Sequence, residues 1–294
     1  MNTTSIAFPS NKVDDIRRTF LCRLRHLYPQ GEIEMFLRIL FHSFLGWDHV
    51  DLLTQRQHTV NQSDLLRFHW ALYDLLQYKP IQYIVGNTSF LGCNIVVDQN
   101  TLIPRPETEE LLQLLFNTIH TPPQNILDLC TGSGCIAIAL AKQWPNANVE
   151  AVDISDKALA VASKNAQHNN VNILFRQADI TEQAFQLQDK TYDLIVSNPP
   201  YVMEKERQLM SHNVLDWEPP QALFVPDNDP LRFYHSIAAF AAQTLSPYGL
   251  LALEINEQFG SQTSQLLQQY SFATQLIKDF KDNNRFLLCT STKN

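Results

Sequence analysis

From Asn125 onward, short apolar runs alternate with stretches whose apolar residues recur every three or four positions. "NILDLC" precedes "SGCIAIALAKQW", and "NVEAVDIS" precedes "DKALAVASKNAQHN". "NILFRQAD" and "YDLIVSNPPY" read as further strands, "RFYHSIAAFAAQTL" as a helix and "GLLALEI" as a strand. This alternation predicts a mostly parallel sheet covered by helices on both faces. The chain then offers a helix near Glu257 to Tyr270, a strand "TQLIKDF", a "KDNN" turn and a strand "RFLLCTS". A parallel return needs a long crossover, so this tight turn makes the last strand antiparallel to its predecessor.

The first quarter of the chain has a different period. "VDDIRRTFLCRLRHLY" sets Ile16, Phe20, Leu24 and Leu27 three and four apart, and "EIEMFLRILFHSFLG" and "SDLLRFHWALYDLLQY" repeat the pattern. Pro29 and Gly46 mark breaks. The expected organisation is a helical domain over residues 1–80, a connecting β-hairpin over 81–103 and the sheet domain over 104–294. Within the hairpin, Ile81 to Val85 and Phe90 to Val97 read as strands around a turn at Gly86-Asn87.

Charge and cysteine usage narrow the partners. Twenty-two basic against 30 acidic residues give a formal net charge of -8. That balance argues against stable nucleic-acid binding, which depends on clustered Lys and Arg. No apolar run is long enough to span a bilayer. "MNTTSIAFPSNKVDD" lacks the basic start and apolar block of a secretory signal, so none is expected. Cys22, Cys93, Cys130, Cys135 and Cys289 are odd in number and scattered, as free thiols in a reducing cytoplasm would be. None of the nine histidines has a metal-ligand spacing, and no metal is expected.

Two motifs carry chemistry. In "ILDLCTGSGCIAIALA" a strand runs into a glycine turn and then a helix start. Only eight glycines occur in the chain, and Gly132 and Gly134 are two of them. Glycine lets a ligand approach the backbone, and free N–H groups at the helix start face an anion. Asp153 closes the next strand, about twenty residues on, where a carboxylate accepts from ribose hydroxyls. Together they predict a site for a nucleoside-containing cofactor. "GSGCIA" also fits a nicotinamide dinucleotide fingerprint, and this motif alone does not separate that cofactor from S-adenosylmethionine.

The second motif is "SNPPYV". Pro199 and Pro200 remove two backbone donors and fix φ twice. Asn198, standing before a proline, is held extended. This rigid elbow ends a strand whose carboxyl edge faces the same cleft as Gly132 and Asp153. Its chemistry suits a planar NH2 group. The Asn198 side-chain oxygen and the Pro199 carbonyl accept from the NH2, and Tyr201 packs against its flat face. Two acceptors orient a weakly nucleophilic nitrogen toward a sulfonium methyl and stabilise the positive charge that develops there. Transfer is then a direct in-line displacement, with no covalent enzyme intermediate. N6 of adenine in a nucleic acid would suit the elbow equally well, as an alternative substrate. A binding protein that has lost catalysis is a third reading.

With "PIQYIVG", "TLIPRPETEELL", "AVDIS", "WEPPQALFV", "LLALEI" and "DNNRFLL" added, the sequence resembles the release factor glutamine methyltransferases over nearly its whole length. The resemblance implies a class I S-adenosylmethionine-dependent methyltransferase fold. That fold is α/β and Rossmann-like, with a seven-stranded sheet whose last strand is antiparallel, joined here to a small all-α N-terminal domain. It implies S-adenosylmethionine as cofactor and class 1 peptide-chain release factors as substrates. The methyl group would go to the glutamine nitrogen of their Gly-Gly-Gln motif, in the cytoplasm, with the enzyme expected to be a monomer. Carried over, Cys130, Thr131, Gly132, Ser133 and Gly134 with Asp153 and Ile154 would bind the cofactor. Asp179 and Ile180 would flank the adenine. Asn198, Pro199, Pro200 and Tyr201 would hold the glutamine amide, with Asn198 also touching the cofactor. Arg105 and Glu107 become cleft-lining candidates. One departure stands out: the family usually carries glycine where this chain has Cys130. A side chain there makes a positive φ costly and predicts weakened cofactor affinity.

Overall fold

The computed structural model describes residues 8–182 and 190–292. The first seven residues, part of the stretch read for a leader, lie outside the described residues. No helix among the described residues is long and apolar enough to cross a membrane. The chain divides into two compact units, Met1–Gly86 with Ser211–Trp217, and Asn87–Met210 with Glu218–Asn294. The division falls at Gly86/Asn87, so the hairpin belongs with the sheet unit, and a short later segment joins the helical one.

In the helical unit, α1 (Val13–Leu24), α2 (Gln30–Leu45), α3 (His49–Thr54) and α4 (Gln62–Leu76) follow the period-3.6 apolar pattern. Val13, Ile16, Phe20 and Leu24 of α1 share one core with Phe36, Leu40 and Phe41 of α2 and Phe68, Leu72 and Leu75 of α4. Gly46 ends α2 at φ 70°, a left-handed cap that glycine adopts without a Cβ clash. The expected strand Ile81 to Val85 is instead the helix α5 (Ile81–Val85). Pro80 fixes its entry and Gly86, at φ 80°, its exit. Ile81 is buried in the helical core, and that packing overrides the β propensity of Ile and Val.

The sheet unit opens with the hairpin β1 (Asn87–Phe90) and β2 (Cys93–Val96), so its turn lies at Leu91-Gly92, five residues later than expected. Next come α6 (Pro106–Thr118), β3 (Asn125–Leu129), α7 (Cys135–Gln143), β4 (Asn148–Asp153), α8 (Asp156–His168), β5 (Leu174–Gln177) and β6 (Tyr192–Ser197). Two short parallel strands, β7 (Val202–Met203) and β8 (Phe224–Val225), flank α9 (His212–Leu215), which lies in the helical unit. The unit closes with α10 (Arg232–Thr244), β9 (Leu245–Glu254), α11 (Gly260–Gln269), β10 (Phe272–Lys278) and β11 (Asn284–Ser291).

Seven strands form one sheet in the order β10-β11-β9-β6-β3-β4-β5. β11 runs antiparallel to both neighbours, and the remaining pairs are parallel. That is the predicted topology. On one face, Leu127 and Leu129 of β3, Ile195 of β6 and Leu251 and Leu253 of β9 pack with Tyr234, Ile237 and Ala241 of α10 and Leu266 and Leu267 of α11. The chain winds outward from β3 through β4 to β5, then returns to place β6 on the other side of β3. Ligands in such sheets bind where the order reverses, beyond the strand carboxyl ends. Here Leu129 of β3 is in register with Ser197 of β6, and the Ser197 hydroxyl donates to the Leu129 carbonyl at 2.7 Å. The glycine turn and the proline elbow therefore leave the sheet side by side.

Candidate functional site

The turn after β3 alternates its handedness. Cys130, Gly132 and Gly134 take φ values of 62°, 54° and 81°. Gly134 suits glycine: its φ is left-handed, and a Cβ there would press to 3.0 Å from the Ala162 Cβ and 3.3 Å from its Cα. Asn165, fully buried in α8, ties the turn to the hairpin. Its Nδ2 donates to the carbonyls of Ser133 and Val96, each at 2.9 Å, and its Oδ1 accepts from the Val96 N–H at 2.8 Å.

Asp153, at the end of β4, holds the turn from the other side. One carboxylate oxygen accepts from the Gly132 N–H at 2.8 Å and the other from the Ser155 N–H at 2.9 Å. Burial raises its pKa, while the N–H groups of Ser155, Gly132 and Ile154 draw it back. Asp128 lies beneath the turn, fully buried, accepting on one oxygen from the Thr131 hydroxyl at 2.5 Å and the Ala137 N–H at 3.2 Å. Its Oδ1 has no partner among the described residues. Burial, opposed by these two donors and reinforced by the charge of Asp153, pushes Asp128 up to about 7.

The folded state thus binds this proton more tightly than the unfolded chain. The stability it contributes is complete below the unfolded carboxyl pKa, about 4, and is lost as pH rises through about 7. Asp128→Asn removes that decline. Urea unfolding at about pH 5 and pH 8 checks it, the variant gaining on wild type at the higher pH. An unchanged slope between the two would contradict the assignment.

A cavity of about 290 Å³ opens beside the turn. Cys130, Gly132, Asp153, Ile154, Asp179 and Ile180 line it, as do Asn198 and Pro200 of the elbow. Eight sequence-predicted residues thus meet in one space. Thr131, Ser133 and Gly134 do not reach its wall; they are buried under the turn and shape it. Pro199 is buried between Asn198 and Pro200 in the chain and is not one of the lining residues. Asn100, Thr101 and Leu102 also line the cavity, as do Pro219, Gln221, Ala222 and Phe224.

Tyr201 departs from expectation. It is absent from the cavity wall: its ring packs on the sheet core and its hydroxyl donates to Glu254 Oε1 at 2.9 Å. The other Glu254 oxygen accepts from the Thr108 hydroxyl at 2.7 Å, and Asn198 Nδ2 donates to that hydroxyl at 3.0 Å. Glu254 ends β9 and is 1% exposed, and Thr108 lies in the first turn of α6. No motif in the sequence singles out these two residues. The signal was present as a glutamate closing an otherwise apolar strand, since a buried carboxylate must find donors.

Arg105 and Glu107 also stand away from the cavity. Arg105 Nη2 pairs with Glu218 Oε1 at 2.6 Å, and Glu218 Oε2 accepts from the Ile103 N–H at 3.2 Å. Glu107 pairs with Lys281 at 2.8 Å across the surface.

Cys130 does line the cavity, and its left-handed φ is the strain the missing glycine foretold. Burial and the charges of Asp153 and Asp128 push its thiol pKa well up, so the thiol stays neutral. Left-handed backbone costs a residue with a Cβ about 1–2 kcal/mol. Cys130→Gly relieves this at the expense of some packing and unfolded-state entropy, and should raise stability by about 1 kcal/mol. Thermal unfolding and cofactor titration check it. A variant less stable than wild type, with weaker cofactor binding, would contradict it.

Comparison with known proteins places the chain among relatives along most of its length. Residues 17–86 match the PrmC N-terminal domain, and residues 107–217 the methyltransferase small domain. A solved methyltransferase from Pyrococcus furiosus superposes with a TM-score of 0.49 at 18% identity, covering 67% of this chain and 88% of that one. The release factor glutamine methyltransferase of Flavobacterium psychrophilum is 44% identical over 280 residues, which is 94% of this chain and 98% of that protein. Its counterpart from Bacteroides thetaiotaomicron is 40% identical over 265 residues, 90% of this chain and 95% of that protein. With full-length relatives at this level and both domains matched, the chain belongs to the release factor glutamine methyltransferase family.

Proposed function

We propose that this enzyme transfers a methyl group from S-adenosylmethionine to the side-chain amide nitrogen (N5) of the glutamine in the Gly-Gly-Gln motif of class 1 peptide-chain release factors, in the cytoplasm. The observation that carries this reading is that the Asn198 elbow and the Asp153–Gly132 pair line one cavity.

The cavity chemistry fits the cofactor. Asp153 offers carboxylate oxygens to ribose hydroxyls, Ile154, Ala178 and Ile180 offer apolar walls to a flat base, and Asp179 offers an acceptor to an exocyclic amine. When bound, the cofactor supplies an electrophilic methyl group on a sulfonium. The protein's own work is orientation. Asn198 Oδ1 and the Pro199 carbonyl accept from the substrate NH2 and turn its lone pair toward the methyl carbon. As the N–C bond forms and the sulfonium's S–C bond breaks to leave a neutral sulfide, positive charge grows on nitrogen; these fixed acceptors stabilise it without reorganising, and the nitrogen then loses one proton to water. Proline at two successive positions keeps the elbow rigid.

A single glutamine offers too little contact area for specificity, so the helical unit serves as the docking element for the release factor. Incubation with labelled cofactor and either purified release factor or DNA and rRNA tests the substrate class. Label in release factor is the expected result, and label in nucleic acid alone would overturn the proposal.

A further inference from the structure

We propose that Thr108 is a positioning residue for methyl transfer: anchored by Glu254, it fixes which end of the Asn198 amide faces the cavity. The inference rests on the reading of Asn198 as the acceptor for the substrate amide.

An asparagine amide has two ends of nearly the same shape, one a donor and one an acceptor, so shape alone does not orient it. The elbow works only with Oδ1 toward the substrate NH2. With the ends exchanged, Nδ2 would meet that NH2, two donors facing each other. What decides is the chain Asn198–Thr108–Glu254–Tyr201.

The direction of this chain follows from proton count. Thr108 has one hydroxyl hydrogen. An ionised carboxylate only accepts, so Thr108 gives its hydrogen to Glu254 Oε2, at 2.7 Å. The threonine oxygen then has only lone pairs left for Asn198. Nδ2 satisfies them at 3.0 Å. Oδ1 in the same place would set two acceptors together with no hydrogen between them. The amide therefore directs Oδ1 away from Thr108.

Two hydroxyls, Thr108 and Tyr201, meet the Glu254 carboxylate, one on each oxygen. The Tyr201 phenol, its pKa raised well above normal by burial and by the Glu254 charge, remains a donor at 2.9 Å. The Tyr234 hydroxyl donates to the backbone carbonyl of Glu254 at 3.2 Å. Burial raises the Glu254 pKa, while the Thr108 and Tyr201 donors and the Arg285 charge lower it and Glu107 opposes them. Thr108 itself is 2% exposed, so water does not replace its hydroxyl readily. A buried hydroxyl that does not itself line the cavity, yet links Asn198 through Glu254 to Tyr201, is placed for this task.

The test is steady-state kinetics of the full-length enzyme on release factor, with cofactor affinity measured separately by calorimetry. Thr108→Val keeps the shape and removes the hydrogen bonds. We expect kcat to fall about 10- to 100-fold, the scale of a misoriented reacting group, with cofactor affinity retained. Thr108→Ser restores most of the rate, because it restores the hydroxyl.

Action through Asn198 has a further signature: Thr108→Val adds little to the loss already caused by Asn198→Ala. Glu254→Gln probes the chain from its other end, in case the valine variant does not fold. The new amide donates to Thr108, freeing the threonine hydrogen for Asn198, and kcat falls with cofactor binding kept. Wild-type kcat in Thr108→Val, a serine variant as impaired as the valine one, or additive losses in the double variant would each overturn the assignment. If wild type itself left glutamine unmethylated, the underlying reading would fail instead.

Discussion

Asn198→Ala lowers kcat for glutamine methylation by about 10²–10³-fold, the usual loss when one preorganised electrostatic partner of a transition state is removed. The variant keeps the Pro199–Pro200 backbone and its carbonyl, so one acceptor remains. On the proposed reading it loses Oδ1, the acceptor that aims the substrate nitrogen and stabilises the charge that forms on it. Asn198 is one of many residues around the cavity, and the glycine turn and Asp153 are untouched by the change. Cofactor affinity therefore falls far less than kcat. Calorimetric titration beside steady-state kinetics separates the two. Equal losses in both would show that Asn198 serves the cofactor rather than the amide.

Arg105→Ala is the largest expected effect on stability. The Glu218 side chain is 1% exposed, and Arg105 and the Ile103 N–H are its partners. Burial raises its carboxyl pKa even with the arginine present. Removing one partner of a buried pair costs about 3–5 kcal/mol. Because Arg105 is 30% exposed and solvent already screens it, the lower part, about 2–3 kcal/mol, is expected here.

Without the arginine, the Glu218 pKa rises further, and its contribution to stability is lost as pH rises through that higher value. The deficit is thus larger at alkaline than at acid pH. Glu218 also leads directly into Pro219, Gln221 and Ala222 of the cavity wall, so the KM for cofactor rises too. Urea unfolding at two pH values and a cofactor titration check both effects. A variant as stable as wild type at alkaline pH would mean that the ion pair holds nothing together.

The sheet was legible because its signals are local and repeated. Strand length, helix period and the "KDNN" turn gave the order of elements and the antiparallel last strand. The glycine turn and the elbow were legible because each places unusual residues at a strand end. Ile81 to Val85 misled because β-branched residues suit either state in so short a run. What decided it was burial of Ile81 among residues distant in sequence. Thr108, Glu254 and Glu218 were hidden for a related reason. Thr108 and Asn198 are 90 positions apart, and Thr108 and Glu254 are 146 apart. No periodicity or spacing within one element reports such a pair. "PRPET" showed its prolines and charges, while the residue that meets Asn198 was the threonine between the two glutamates.

The reading of Asn198 also changes with its partners. Rigidity from two prolines fixes the backbone of the elbow, but not the end-for-end sense of an amide. That second constraint comes from a carboxylate at the end of β9. Tyr201, expected against the substrate, donates its hydroxyl hydrogen to this carboxylate.

The most direct measurement is the mass and site of methylation on a class 1 release factor after incubation with this enzyme and S-adenosylmethionine. The predicted result is one added methyl group, located by fragmentation on the side chain of the Gly-Gly-Gln glutamine and absent with Asn198→Ala. A release factor left unmodified by active, cofactor-binding enzyme, or a methyl group on another residue, would contradict it.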